Sequence, residues 1–377
     1  MKIRSVLFAG ILFLGLPAFA QPCLPQGITF NTQAQIDSFP ITNPNCSEIQ
    51  GVVYITGSDI TNLNGLSSIV SVGTDLYIRN TSALASLSGL NNLTHVGHEI
   101  SIGNNALLTS LDGLGGLAFI GYAFELEYNP SLINLDGLNS LTSIGGYLKI
   151  TDNSALMSLS GLNALSTIGG TLNISNNPLL HSLSGLENLT STGDGLILSM
   201  NSSLTSLDSL SALTSIGGTL WIQDNHLLRG LAGLDNIDAN SITDLTISDN
   251  DSLSTCEVLS VCKYLSSPNG NVVVQNNSAG CNDAAEIESA CQAISTPEKV
   301  FPGSFIIFPN PADQMLFFPM DYLGKINQVN FYNKNGSGLY NIHPVSNRVD
   351  VSLLPTGFYI AEFISDTSII RKKFEKK

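Results

Sequence analysis

The sequence predicts an all-β protein: a parallel β-solenoid of 24-residue coils followed by a small antiparallel β-sandwich. The first observation behind this is a repeat. An apolar residue recurs every 24 positions at Val52, Leu76, Ile100, Phe124, Leu148, Leu172, Leu196 and Leu220, then at Leu245 after one extra residue. The second is a matching apolar column two positions on: Tyr54, Ile78, Ile102, Leu126, Ile150, Ile174, Leu198, Ile222 and Ile247. A fixed period of this length marks one short unit stacked on copies of itself. The third is the loss of that period after residue 303, where short alternating segments take over.

Thr171 to Gly193, TLNISNNPLLHSLSGLENLTSTG, serves as the type unit. Leu172 and Ile174 alternate with Asn173, the period of two of a short strand. Asn177 follows, and the same place holds Asn105, Asn129, Asn153, Asn201, Asn225 and Asn250. An Asn in register on every coil is placed to turn inward and bond the backbone of its neighbours. Leu180, Leu183, Leu186 and Leu189 come three apart and point inward around the rest of the coil. Gly185 breaks this stretch, as do Gly89, Gly113, Gly137, Gly161 and Gly233 in their own coils, implying positive φ or close backbone approach. The gaps are filled by Gly, Ser, Thr and Asn, poor helix formers, so strands, turns and an occasional 3₁₀ turn are expected. Some ten coils stacked about 4.8 Å apart make an array roughly 45–50 Å long.

The ends are of different kinds. Lys2 and Arg4 precede an apolar run from Val6 to Leu16, and Ala18-Phe19-Ala20 gives a small-x-small pattern, so residues 1–20 read as a cleaved signal peptide. The run falls short of the roughly 18 residues a membrane anchor needs, and no later segment is long and apolar enough to span a bilayer. Residues 21–294 form the repeat region, 295–303 a linker and 304–377 the β-sandwich, with Asn335-Gly336 as a turn signal. Charge changes at the same place. Residues 21–297 hold 23 Asp/Glu against 4 Lys/Arg, and residues 298–377 hold 7 against 9. A net of −19 on the first part repels phosphate backbones and excludes nucleic acid as a partner.

All six cysteines lie at the two ends of the repeat array, where a solenoid must seal its apolar cross-section. In an exported chain an even count reads as disulfides. Cys23–Cys46 would staple the N-terminal cap. Cys256 takes a position filled by Leu in earlier repeats and Cys281 falls near it one coil later, which favours Cys256–Cys281 and Cys262–Cys291.

Catalytic constellations are missing from the sequence. His95 and His98 form His-x-x-His, but repeat geometry fixes no third ligand nearby. No Ser sits in a Gly-x-Ser-x-Gly elbow. Glu125 and Glu127 are an acidic pair on one strand, without the richer Asp, Lys and Arg set of polysaccharide-cleaving solenoids. Asp112, Asp136 and Asp208 share one place in the repeat and Asp152, Asp224 and Asp249 another; calcium needs six to eight oxygens, and solvated turn carboxylates are the expected reading. No metal, no cofactor and no enzymatic activity are expected.

Ligand-binding candidates come from the pleat. Residues between the two apolar columns point outward: Val53, Tyr77, Ser101, Glu125, Lys149, Asn173, Ile197, Trp221 and Thr246. The next outward column is Ile55, Arg79, Gly103, Glu127, Thr151, Ser175, Ser199, Gln223 and Ser248. Scaffold positions repeat, but these do not. Tyr77, Arg79, Glu125, Lys149, Ile197 and Trp221 are the proposed contact set, rich in types enriched at interface centres.

Two resemblances are specific. "LTSIGGYLKITDNSAL" (141–156), "LSTIGGTLNISNNPLL" (165–180), the opening at 27–57 and the close at 234–265 look like the repeats of receptor L-domain-like, leucine-rich-repeat-related proteins of Bacteroidetes. The match covers most of residues 27–291 and departs from the pattern at Thr81, in the Asn column, and Ser209, at the bend glycine. It implies a right-handed parallel solenoid that binds or adheres without chemistry. "FPNPADQMLFF" (308–318), "VDVSLLPTGFYIAEF" (349–363) and the basic finish "RKKFEKK" (371–377) resemble the type A sorting domain of the type IX secretion system. That implies an address read at the outer membrane and commonly removed on delivery. The expectation is a secreted or outer-membrane cell-surface recognition protein that uses the type IX machinery and binds a protein or glycan through its strand face. The alternatives are a secreted polysaccharide-active enzyme and a purely structural surface protein.

Overall fold

The computed structural model describes residues 22–295, 305–333, 338–344, 346–365 and 369–377. The expected signal peptide, the expected linker apart from Ser295, and the turn expected at Asn335-Gly336 lie outside the described residues. The chain divides into two compact units, Met1–Cys291 and Gln292–Lys377.

The first unit is a solenoid-like parallel β fold in which successive coils add a strand to each of two sheets. The larger sheet has eleven strands, from Ile28–Phe30 and Val53–Ile55 through Leu76–Arg79, Glu99–Gly103, Ala123–Glu127 and Leu148–Thr151 to Val272–Gln275. Its register follows the repeat: Phe124 pairs with Leu148, Leu148 with Leu172, and Leu172 with Leu196. The smaller sheet stacks eight two-residue strands, such as His95–Val96 and Phe119–Ile120. Both sheets face one core of Leu and Ile. In the type coil Leu172, Ile174, Leu180, Leu183, Leu186 and Leu189 are all fully buried, and each such side chain contributes about 1.5–3 kcal/mol.

Backbone polarity inside this core is satisfied by the asparagine column. Asn153 Nδ2 donates to the Leu126 carbonyl (2.9 Å) and the Thr151 carbonyl (3.0 Å), and its Oδ1 accepts from the Asn129 amide (3.1 Å). The same pattern runs from Asn105 to Asn250. Thr81 ends it on one side, donating Oγ1 to Asn105 Oδ1 at 2.6 Å, and Asn277 receives the Asn250 amide on the other. Just before each ladder residue the chain turns left-handed, with φ between +54° and +61° from Asn80 to Asn276. Asn and Asp tolerate that conformation best among residues with a side chain, which accounts for Asp152, Asp224 and Asp249.

Two kinds of glycine set the corners. Gly89, Gly113, Gly137, Gly161 and Gly185 have φ between +108° and +118°. At Gly233 and Ser209 the corner is instead a 3₁₀ turn, Ala232–Leu234 and Asp208–Leu210, so a glycine with positive φ is not needed there. A second row at Gly97, Gly121, Gly145, Gly169 and Gly193 is a matter of space: a Cβ on any of these would lie 1.8–2.1 Å from the carbonyl oxygen of the glycine one coil earlier.

The structure departs from the sequence expectation at the ends. The unit is not all-β, because three helices close it: α1 (Gln33–Thr42), α2 (Leu259–Ser266) and α3 (Ala284–Ser295). An open coil end presents a broad apolar cross-section, and a helix covers more of it than a two-residue strand. Ile36 and Phe39 of α1 and Val261 and Tyr264 of α2 are buried there. Disulfides join Cys23 to Cys46, Cys256 to Cys281 and Cys262 to Cys291. The coil from Val53 to Leu76 is also one residue short. Val53 pairs with Leu76 and Ile55 with Ile78, so Val53 and Ile55 are buried and Tyr54 points outward, the reverse of a strict 24-residue count.

The second unit holds two antiparallel sheets. Met315–Phe317 pairs with Arg348–Asp350, and four strands run in the order Gly338–Ile342, Ile326–Asn333, Gly357–Ser365, Ile369–Lys376. Leu316 and Val349 of the small sheet share one core with Val329, Phe331, Phe363 and Phe374 of the large one.

Candidate functional site

Outward residues of the eleven-stranded sheet form a continuous face, and its chemistry divides into two parts. At one end lies a charged and aromatic cluster. Tyr54 and Tyr77 stack with ring centroids 4.9 Å apart and planes 16° from parallel. Arg79 Nε donates to Ser101 Oγ (2.8 Å), and its guanidinium pairs with Glu125 (3.4 Å) and Glu127. Lys149 Nζ donates to Glu127 Oε2 at 2.9 Å, and the Tyr147 hydroxyl donates to Glu125 Oε1 at 2.7 Å.

These contacts set the proton affinities. Burial pushes the Glu127 carboxyl up, but the hydrogen bonds and charges of Lys149 and Arg79 outweigh it and hold the group below the ordinary carboxylate range. The hydrogen bond to Glu127 raises the Lys149 ammonium despite burial. Burial, with the charges of Glu99 and Asp75, pushes the Tyr77 hydroxyl up to about 12. Burial raises Tyr147 as well, and its bond to Glu125 adds to the shift. The Glu99 carboxyl is raised by burial and by the charges of Glu125 and Asp75.

Four of the six candidate contact residues, Tyr77, Arg79, Glu125 and Lys149, are therefore gathered here; Arg79 pairs with Glu125, and Glu127 links Arg79 to Lys149. The outward columns are less open than alternation predicts. Ser101 is fully buried beneath Arg79 and Glu125, and Gly103, Thr151, Ser199 and Ser248 are buried too, because side chains from neighbouring coils lie across the small ones. Beside this cluster His98 Nδ1 lies 2.6 Å from Asp75 Oδ1, and the Glu99 amide donates to the same oxygen at 3.2 Å. Among the described residues, Asp75, His98 and Glu99 form the group in which three metal-type donor atoms lie within 4.8 Å of one another. Neither set of turn aspartates gathers in this way. Instead, Asp112 accepts from Ser110 Oγ (3.0 Å) and Asp136 from Ser160 Oγ (3.2 Å).

The other two candidates, Ile197 and Trp221, lie further along the face and are neighbours in register. Trp221 is 38% exposed, and its indole Nε1 donates to Gln223 Oε1 at 2.9 Å. They line a cleft of about 660 Å³ with Asp194, Asp244, Asp249 and Val273. A second cleft of about 590 Å³ runs between Tyr122, Tyr147, Lys149, Asn173 and Asp194 over a floor of paired glycines such as Gly145-Gly146 and Gly169-Gly170. Asp194 lines both. Asp75, His98, Tyr122, Tyr147 and Asp194 are absent from the sequence-derived contact set, because they stand one or two positions before the first apolar column. Their signal was the same one used for the outward columns: an unrepeated residue type at a fixed place in a repeating unit.

The role of the C-terminal unit comes from comparison. Residues 306–377 match the family described as "Secretion system C-terminal sorting domain". This segment is a sorting domain. The protein is accordingly exported by the type IX route and is secreted or held at the outer-membrane cell surface. Among the described residues no helix is long and apolar enough to cross a membrane. Comparison of the chain with curated proteins gives no match.

Proposed function

We propose that the protein is a non-catalytic recognition protein of the cell exterior that binds an extended, uncharged glycan along the face of its larger sheet. The observation that carries this reading is the pair of adjoining clefts sharing Asp194, with Trp221 in one and Tyr122 and Tyr147 in the other. Concave sites that combine exposed rings with a few polar groups suit ligands with both apolar faces and hydroxyls. The Trp221 cleft offers carboxylates and amides and no cation among its lining residues, which disfavours an anionic polymer. A sheet built of stacked coils is rigid, so little order is lost on binding.

The enzymatic alternative rested on Glu125 and Glu127. Both are engaged by Arg79, Tyr147 and Lys149, an arrangement that suits a fixed surface better than a proton-transferring pair. The repeat phrases keep their likeness to receptor L-domain-like proteins, and the two-sheet, 24-residue coil is compatible with that likeness. The test is an array of neutral and charged glycans probed with the mature chain. Binding confined to neutral polysaccharides and weakened by Trp221→Ala supports the reading. Hydrolysis of any polysaccharide, abolished by Glu125→Gln, would replace it with the enzyme.

A further inference from the structure

The histidines of the His-x-x-His spacing do not converge. His95 stands in the short strand His95–Val96, the chain then turns at Gly97, and His98 meets Asp75 of the preceding coil and its own neighbour Glu99. We propose that Asp75, His98 and Glu99 bind a divalent cation of the zinc class and tie two successive coils together through it.

The donor set is one imidazole and two carboxylates, a combination that suits borderline cations such as Zn²⁺. Calcium and magnesium prefer oxygen ligands alone, and calcium takes six to eight of them. Zinc bonds of about 2.0–2.2 Å in a tetrahedron place donors about 3.3 Å apart. The three donor atoms already lie within 4.8 Å of one another, within reach of one shared ion through shifts of the two carboxylates.

Two contacts from outside the donor set favour the arrangement. The Tyr122 ring stacks on the His98 imidazole, centroids 4.9 Å apart and planes within 10°, which limits the ring's rotation. The cations of this face are committed elsewhere, since Arg79 pairs with Glu125 and Glu127 and Lys149 with Glu127. Asp75 and Glu99, with Glu125 nearby, therefore concentrate negative charge that a bound cation would neutralise. The His98 side chain is 54% exposed, so an ion reaches the site from solvent. Three protein ligands leave one coordination position to water.

The experiment is calorimetric titration of ZnCl₂ into the metal-stripped mature chain, without an affinity tag. One zinc per chain is expected. His98→Ala and Asp75→Asn should each weaken binding at least tenfold, whereas His95→Ala should leave it unchanged. CaCl₂ in place of ZnCl₂ should give no saturable heat. Circular dichroism of each metal-free variant accompanies the titration, and His98→Gln replaces His98→Ala should the latter fail to fold. Substituted cobalt supplies an independent reading: visible bands of a tetrahedral Co²⁺ site should appear in the parent protein and vanish in the His98 variant. Absence of zinc binding, or full affinity in the His98 variant, overturns the proposal.

Discussion

Arg79 and Glu127 meet across an intervening coil, and Gly103 leaves the space for them to do so. The two residues are 48 positions apart, two full repeats, with Gly103 between them in the same column. A Cβ at Gly103 would lie 3.4 Å from Arg79 Nε and 3.1 Å from the Glu127 carbonyl oxygen. Larger side chains there would obstruct the guanidinium. A sequence pattern that looks irregular, Arg, Gly, Glu down one column, is thus a single ionic contact and its clearance.

Arg79→Met should cost about 1 kcal/mol in urea unfolding at pH 7, a modest value because the Arg79 side chain is a third exposed. The pH dependence is the sharper reading. Glu127 is held below its ordinary 4.5 in the folded protein, so its contribution is complete above pH 4.5 and is lost as pH falls through the lowered folded value. Without Arg79 that shift shrinks, and stability should fall less steeply below pH 4.5 than in the parent. Parallel curves for the two proteins would contradict the assignment.

The glycine row gives a paired test. Gly121→Ala places a Cβ 1.8 Å from the Gly97 carbonyl oxygen and should cost about 3 kcal/mol or more. Gly115→Ala, with nothing within 4 Å of the added carbon, should change stability by no more than about 0.5 kcal/mol. Thermal unfolding of the two variants side by side distinguishes a stacking constraint from ordinary loop tolerance.

Asn153 is an interior member of the buried ladder. Its removal in Asn153→Ala takes one hydrogen-bond partner each from the Leu126 and Thr151 carbonyls and the Asn129 amide, and should cost about 3 kcal/mol or more. Asn173→Ala, on the outer face of the same sheet, should cost no more than about 0.5 kcal/mol. Equal losses at both sites would mean that the ladder is not what satisfies the coil backbone.

The legibility of this chain follows its periodicity. Leu172, Ile174 and Asn177 could be placed from the sequence because every coil presents the same choice, and each repeat corroborates the last. Val53 could not. The run Val52-Val53-Tyr54-Ile55 is apolar at every position, so alternation leaves its parity open, and counting back 24 from Leu76 chooses the wrong face. The capping helices were missed because they occur once each. Their local signals were nonetheless present: Thr32 and Gln35 form a capping box, and Asp283 Oδ1 accepts from the Glu286 amide at the start of α3. The face was legible in membership and not in grouping. Spacing alone identifies Arg79, Glu125 and Lys149 as outward, but their engagement with one another depends on reach across coils. Asp75 and His98 are 23 apart, one short of the repeat, and a column-by-column reading passes over such a diagonal.

Export rests on the sorting domain. Cells expressing the chain without residues 304–377 should retain it in the periplasm, whereas the full chain should reach the surface or the medium. Fractionation followed by immunoblotting reads the outcome, and surface display of the truncated chain would show that another segment carries the address.

The central claim, that the strand face binds a glycan at Trp221, is tested most directly by tryptophan fluorescence. Trp221 is the sole tryptophan of the chain and is 38% exposed, so its emission reports on this cleft alone. The mature protein is titrated with neutral polysaccharides and quenched with acrylamide in their presence and absence. A saturable blue shift with protection from acrylamide is predicted, together with a loss of affinity of roughly 30-fold in Trp221→Ala, measured by calorimetry, for a contact worth about 2 kcal/mol. Emission and quenching that stay constant while a glycan binds with unchanged affinity to Trp221→Ala would contradict the account.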